Sequence, residues 1–155
     1  MNDKYQGFTL IELLVVLVVS TFFLLCPLFM LSGWSEQLTN EHTLQQFERN
    51  YYRTQYHAIV TGRSTAIHVD FKGEQTIFFR YRLHGQPSSS KTKETILKFP
   101  TTLFIKEAGS VIDLSGSGAP KTIHKFVFRD TIKNEDIIYK TQIGSGKLVR
   151  QNEKN

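Results

Sequence analysis

The chain has one cysteine, Cys26, in 155 residues, so no internal disulfide can form and the fold must hold by packing. Charge is missing from one long stretch. Between Leu13 and Ser35 there is no acidic or basic residue, and between Lys4 and Arg49 no basic one. Glycine is absent between Phe8 and Ser32, and the one proline there is Pro27. Metal-ligand spacing is also missing: His42, His57, His68, His84 and His124 form no pair and have no cysteine beside them, so each reads as solvated. No G-x-S-x-G nucleophile turn occurs, and Gly116-Ser117-Gly118 lacks its spacing. Gly146-Lys147 has Leu148 where a phosphate loop requires Ser or Thr, and Thr141 where it requires its first glycine. The reading is therefore of a protein that is not an enzyme, with no catalytic residue, cofactor or metal expected.

What the chain does have is an apolar run of Leu, Val and Phe broken only by Ser20, Thr21 and Cys26. At about 1.5 Å per residue, a helix over Leu13–Ser35 is long enough for the roughly 30 Å hydrocarbon core of a bilayer. It is apolar all round, as lipid or a helical bundle requires. Lys4 precedes it and no basic residue follows until Arg49, so the positive-inside bias places the N-terminus in the cytoplasm and the body outside, in a single pass. A secretory signal has a shorter apolar region and no acid within it. Cys26 follows Phe23-Leu24-Leu25, which lacks the small residue that precedes a lipidated cysteine. Pro27 has no amide proton and crowds the carbonyl of Phe23, predicting a helix kink.

Glu12 is out of place at the head of this run. A carboxylate costs about 2.5–3.5 kcal/mol at the centre of a membrane helix, and less towards an end. Alone, it reads as a helix-start acid worth about 0.3–1 kcal/mol against the helix dipole.

After Gly33-Trp34 the pattern turns amphipathic. Leu38, Leu44, Phe47, Tyr51, Tyr52, Tyr56 and Ile59 follow three-and-four spacing, and Gly62 is placed to cap the helix. Beyond it the period becomes two. Ser64–Phe71 and Gln75–Leu83 read as a hairpin around Lys72-Gly73-Glu74. His84–Glu94 is a polar loop; short strands follow at Thr95–Phe99, Leu103–Lys106 and Val111–Leu114, then a loop at Ser115–Pro120. Ile123–Arg129 and Ile137–Ile143 are the last strong strands, with a Gly-x-Gly turn, a short return through Leu148-Val149, and a frayed end at 151–155. The fold class expected is α+β, a long helix packed on a small antiparallel sheet.

The run Gly7-Phe8-Thr9-Leu10-Ile11-Glu12, leading directly into the apolar segment, resembles the processing site of type IV prepilins and type II secretion pseudopilins. That resemblance implies a type IV pilin-like fold and a division into a leader over 1–7, a transmembrane assembly helix over 8–33, an amphipathic helix over 34–62 and a β-rich domain over 63–155. It implies cleavage between Gly7 and Phe8 by a prepilin peptidase, N-methylation of Phe8, and a Glu12 that answers the amine of Phe8 on a neighbouring subunit. The partners implied are the peptidase, other major and minor pilins, the membrane and, indirectly, an assembly ATPase and platform protein.

Within that family the chain most resembles minor pilins of the competence pseudopilus of Gram-positive bacteria, which take up DNA. Its short leader, its lack of an ectodomain disulfide and its Lys-rich β-domain carry that likeness. A pseudopilin of a type II secretion system is the alternative, and an unprocessed membrane-tethered binding domain a third. The net charge of +5 and the pI near 9.4 allow an anionic polymer as partner. Arg80, Arg82, Lys121, Lys125 and Lys147 are the candidate DNA contacts, against the plainer reading of a solvated basic surface.

Overall fold

The computed structural model describes residues 9–70, 75–81 and 93–154, with the side chains of residues 26–32 left outside that set. Gly7, Phe8, Arg82, the turn at Lys72-Gly73-Glu74 and most of the 84–94 loop lie outside the described residues, as does the side chain of Pro27.

One helix, α1, spans Leu10–Thr61, and eight strands follow: β1 Thr65–Asp70, β2 Thr76–Tyr81, β3 Lys93–Lys98, β4 Leu103–Glu107, β5 Val111–Leu114, β6 Lys125–Asp130, β7 Glu135–Thr141 and β8 Leu148–Lys154. Helical backbone runs through Pro27 and Gly33 without a break, and α1 stops at Gly62, whose positive φ of 63° an L-residue rarely adopts. The chain divides into two compact units, Met1–Glu36 and Gln37–Asn155.

In the first unit the described apolar side chains, from Leu10 to Leu25, are all solvent-facing, so nothing in the unit itself covers them. Ser20 and Thr21 turn their hydroxyls back onto the carbonyls of Val16 and Leu17, both at 2.7 Å. Each polar group in the run is thereby satisfied within its own helix. Among the described residues no helix is long and apolar enough to cross a membrane, because the described part of the run ends at Leu25.

In the second unit the strands form two antiparallel sheets rather than the single sheet expected, in the orders β3-β2-β1-β5 and β4-β6-β7-β8. The chain enters the second sheet at β4, returns to the first at β5, which pairs with β1 in the register Ile67↔Ile112, and crosses back at β6. Alternation then aims Ile67, Ile77, Phe79 and Leu97 of one sheet, and Leu103, Phe126, Phe128, Ile137 and Tyr139 of the other, into a common core with Leu44, Phe47 and Tyr51 of α1. Phe47 is the hub. Its ring centroid lies 6.2 Å from Phe79 in the first sheet, and 4.9, 5.1 and 5.3 Å from Phe126, Phe128 and Tyr139 in the second. Edge-to-face pairs of this kind add about 0.5–1.5 kcal/mol beyond area burial.

Two expectations are corrected here. The chain end does not fray: β8 continues to Lys154, pairing Glu135↔Lys154 through Thr141↔Leu148, so backbone hydrogen bonds hold a segment with almost no apolar side chains. The buried stripe of α1 is also not the one that apolar spacing marked. Leu38, Tyr52, Tyr56 and Ile59 are exposed, whereas Asn40, Thr43, Thr54 and Ala58 join Leu44, Phe47 and Tyr51 inside. Asn40 finds its partners in Thr102 and Asp130, whereas Thr43 and Thr54 turn their hydroxyls onto the carbonyls of Thr39 and Asn50 within α1.

Candidate functional site

The head of α1 is built by Thr9 and Glu12. Thr9 donates both its amide N–H and its hydroxyl to Glu12 Oε2, each at 3.3 Å, and its Oγ1 accepts the Glu12 amide at 3.3 Å. This is a capping box: two otherwise orphaned donors of the first turn are satisfied reciprocally, and the acid lies at the positive end of the helix dipole. Thr9 is a residue whose role sequence reading missed, although the T-x-x-E spacing was its signal. Gly7 and Phe8, just before this box, lie outside the described residues.

Further along α1, the helix is fastened to the β-domain by polar clamps. Asn40, only 1% exposed, donates to Asp130 Oδ1 at 3.1 Å and accepts the Thr102 hydroxyl at 2.7 Å. Asp130 is itself 1% exposed and also accepts the amides of Ile132 and Lys133 at the β6–β7 turn. One carboxylate thus holds both the turn and the helix. Arg150 on β8 donates to both oxygens of Glu41, at 2.7 and 3.0 Å. That fork lowers the Glu41 pKa and pushes the guanidinium further up. Tyr139 donates to Glu48 Oε1 at 2.6 Å, and burial followed by that bond raises its phenol pKa.

At the helix end, Tyr51 donates to the Gly146 carbonyl at 3.0 Å, and Gln55 Nε2 to the carbonyls of Gly118 and Ser145 at 3.0 and 2.9 Å. Both loops close onto α1 at glycines of positive φ, Gly118 and Gly146, where an added Cβ would come within 2.7 Å of Ile59 and 2.3 Å of Gln55. Among the described residues no buried side-chain nitrogen or oxygen lacks a partner, and no His, Cys, Asp and Glu group is arranged to hold a metal ion.

This arrangement and its N-terminal segment both have counterparts. Residues 2–25 match the model of the prokaryotic N-terminal methylation motif. The structure is similar to the type IV minor pilin FimU of Pseudomonas aeruginosa, with a TM-score of 0.57 and 11% identity over 76% of this chain and 92% of that one. It is similar too to the minor pseudopilin EpsH from the type 2 secretion system of Vibrio cholerae, with a TM-score of 0.52 and 16% identity over 73% of this chain and 96% of that one. The fold is that of a type IV pilin. Among curated proteins no sequence matches the chain.

On this pilin fold the sequence-predicted basic residues are scattered. Arg80 lies on β2 and pairs with Glu94 at 2.7 Å; Lys125 lies on β6 of the other sheet and pairs with Glu107 at 3.2 Å. Lys121 and Lys147 are exposed, on the loops before β6 and β8. Arg82 is outside the described residues. His57 stacks on Tyr81 at 4.2 Å with Arg53 over the other ring, and burial followed by the charges of Arg53 and Lys93 lowers its pKa.

Proposed function

We propose that this chain is a minor pilin of a filament that takes up DNA: a subunit cut between Gly7 and Phe8, N-methylated at Phe8, and drawn from the membrane into a pseudopilus. The observation that carries the reading is the methylation motif over residues 2–25 on a chain that folds as a pilin. The exposed, all-round apolar surface of Leu10–Leu25 supports a helix meant for lipid and then for neighbouring stems. A single-pass anchor, with the N-terminus inside and the β-domain outside, follows from the uncharged run and the lone Lys4 ahead of it. The capping box does not compete with a role for Glu12 in assembly, since a carboxylate accepts more bonds than Thr9 supplies. On this reading the peptidase, other pilins, an assembly ATPase and a platform protein are its partners, and it has no catalytic role of its own.

Coexpression with prepilin peptidase tests the first half. Intact mass should show loss of residues 1–7 and one added methyl group, and Gly7→Asp should abolish both. An unprocessed mature form in the native host would exclude the pilin reading. Deletion in that host tests the second half: transformation should fall to background while protein secretion stays intact. The reverse outcome would favour a secretion pseudopilin, the reading that the likeness to EpsH supports.

A further inference from the structure

Beyond the helix and its clamps, the β3-β2-β1-β5 sheet carries a cleft on the face turned away from α1. Three residues of one cross-strand row make it. Ala66 of β1 pairs with Arg80 of β2 on one side and Asp113 of β5 on the other. A methyl side chain between two long ones leaves a hollow of about 410 Å³, lined by Arg63, Ser64, Thr65, Ala66, Arg80 and Asp113, with Tyr81 at its edge.

The two arginines are placed rather than loose. Arg63 follows the helix cap Gly62, and the loop glycine Gly116 packs so closely on this backbone that an added Cβ would stand 2.4 Å from the Gly62 carbonyl. Arg63 makes no ion pair among the described residues. Arg80, which also lines the hollow, gives its Nε to Glu94 of the neighbouring strand β3 at 2.7 Å. Asp113 stands two strands from Arg80, about 10 Å away at the usual strand spacing. Tyr81 is locked against His57 and Arg53, so its ring is a wall and not a stacking platform.

We infer that this cleft is a binding site for a phosphate group, held by the guanidinium groups of Arg63 and Arg80 over Ala66. The planar fork of arginine matches phosphate oxygens, and two arginines lining one hollow make a site that a scattered basic surface lacks. This inference does not rest on the DNA-uptake reading. It holds for an isolated phosphate or for one carried on a polymer.

The test uses the full chain in neutral detergent micelles, followed by amide NMR during titration with inorganic phosphate and, separately, with single-stranded oligothymidylate, both against sodium chloride of equal ionic strength. Saturable shifts are expected at Ser64, Thr65 and Ala66. Arg63→Gln and Arg80→Gln should each weaken binding about tenfold, and Lys140→Gln, exposed on β7 of the other sheet, should leave it unchanged. Ala66→Leu keeps every charge and fills the hollow, so it should abolish the shifts while the core amides stay in place. Equal affinity for the two ligands marks a site for isolated phosphate, and tighter oligonucleotide binding marks one for a strand. Absence of saturable shifts with both, or binding that survives Ala66→Leu, overturns the site.

Discussion

Glu12 closes its carboxylate on Thr9, taking both the amide and the hydroxyl of that residue at 3.3 Å. The acid that looked costly at the head of an apolar helix is thereby satisfied within one turn, before any neighbour arrives. The capping role is compatible with the assembly role proposed for the same carboxylate.

Substitutions should separate those roles. Thr9→Val removes the hydroxyl half of the box, leaving the residue-9 amide on Glu12, and should loosen the first turn by about 0.5–2 kcal/mol, seen as faster amide exchange at Ile11 and Glu12. The carboxylate stays in place, so on the proposed reading crosslinking of stems to other pilins should hold. Glu12→Val should ease membrane insertion but weaken that crosslinking and DNA uptake, with Glu12→Asp intermediate. Undiminished crosslinking and uptake in the valine variant would reduce Glu12 to a capping residue.

Phe47 joins the helix to both sheets, so Phe47→Ala should cost about 3–5 kcal/mol. Trp34→Ala, at a position 70% exposed, should stay within about 0.5 kcal/mol. Urea melts of the two variants check both values. Tyr51→Asp should also cost a few kcal/mol, since it strands a charge in a fully buried site and drops the bond to Gly146.

How much of this was legible in the residues differs along the chain. The long helix, its stop at Gly62, most strand positions and the α+β class followed from period and turn chemistry. The buried face of α1 did not. Asn40 carries no apolar signal, and it goes inside only because Thr102 and Asp130 reach it across 62 and 90 residues of sequence. The partition into two sheets was hidden for the same reason: β5 chooses β1, and pairing partners carry no local signature. Of the candidate site, the T-x-x-E box was readable and the Arg63–Ala66–Arg80 row was not, because it exists only once register is set.

Acidification should destabilise the domain in two stages. His57 and His124 have folded pKa values below their ordinary 6.5, both chiefly through burial, so the unfolded chain binds more protons and stability begins to fall as pH drops through 6.5. Glu41, held below its ordinary 4.5 chiefly by the Arg150 bond, contributes stability that is present above 4.5 and lost as pH falls through its lowered value. Asp136, held down chiefly by Lys106, loses its contribution lower still, below its ordinary 3.8. Urea midpoints at pH 7.5, 5.5 and 4 should decline in order. Glu41→Gln should flatten the acid end of the curve, and His57→Gln the first step.

Gly118→Ala and Gly146→Ala should each destabilise by more than the usual cost of about 1 kcal/mol for an alanine at positive φ, because the new methyl strikes Ile59 or Gln55. Gly144→Ala, at φ 84° with open space around it, should show the backbone cost alone. Gly33→Ala, within the helix and touching nothing, should gain about 0.5–1 kcal/mol of helix stability. Melting temperatures of the four variants rank them.

The rims of the two sheets limit how copies of this chain can join. β5 has only four residues, β8 ends in Arg150, Glu153 and Lys154, β3 begins and ends in lysine, and β4 is bulged at Ile105/Glu107 with its Ile105 amide already taken by the Gln75 side chain. Each device discourages one strand from adding to another. A crowd of these molecules held side by side is thus protected from cross-β clumping. On the proposed reading, growth into an ordered fibre is left to the helical stems.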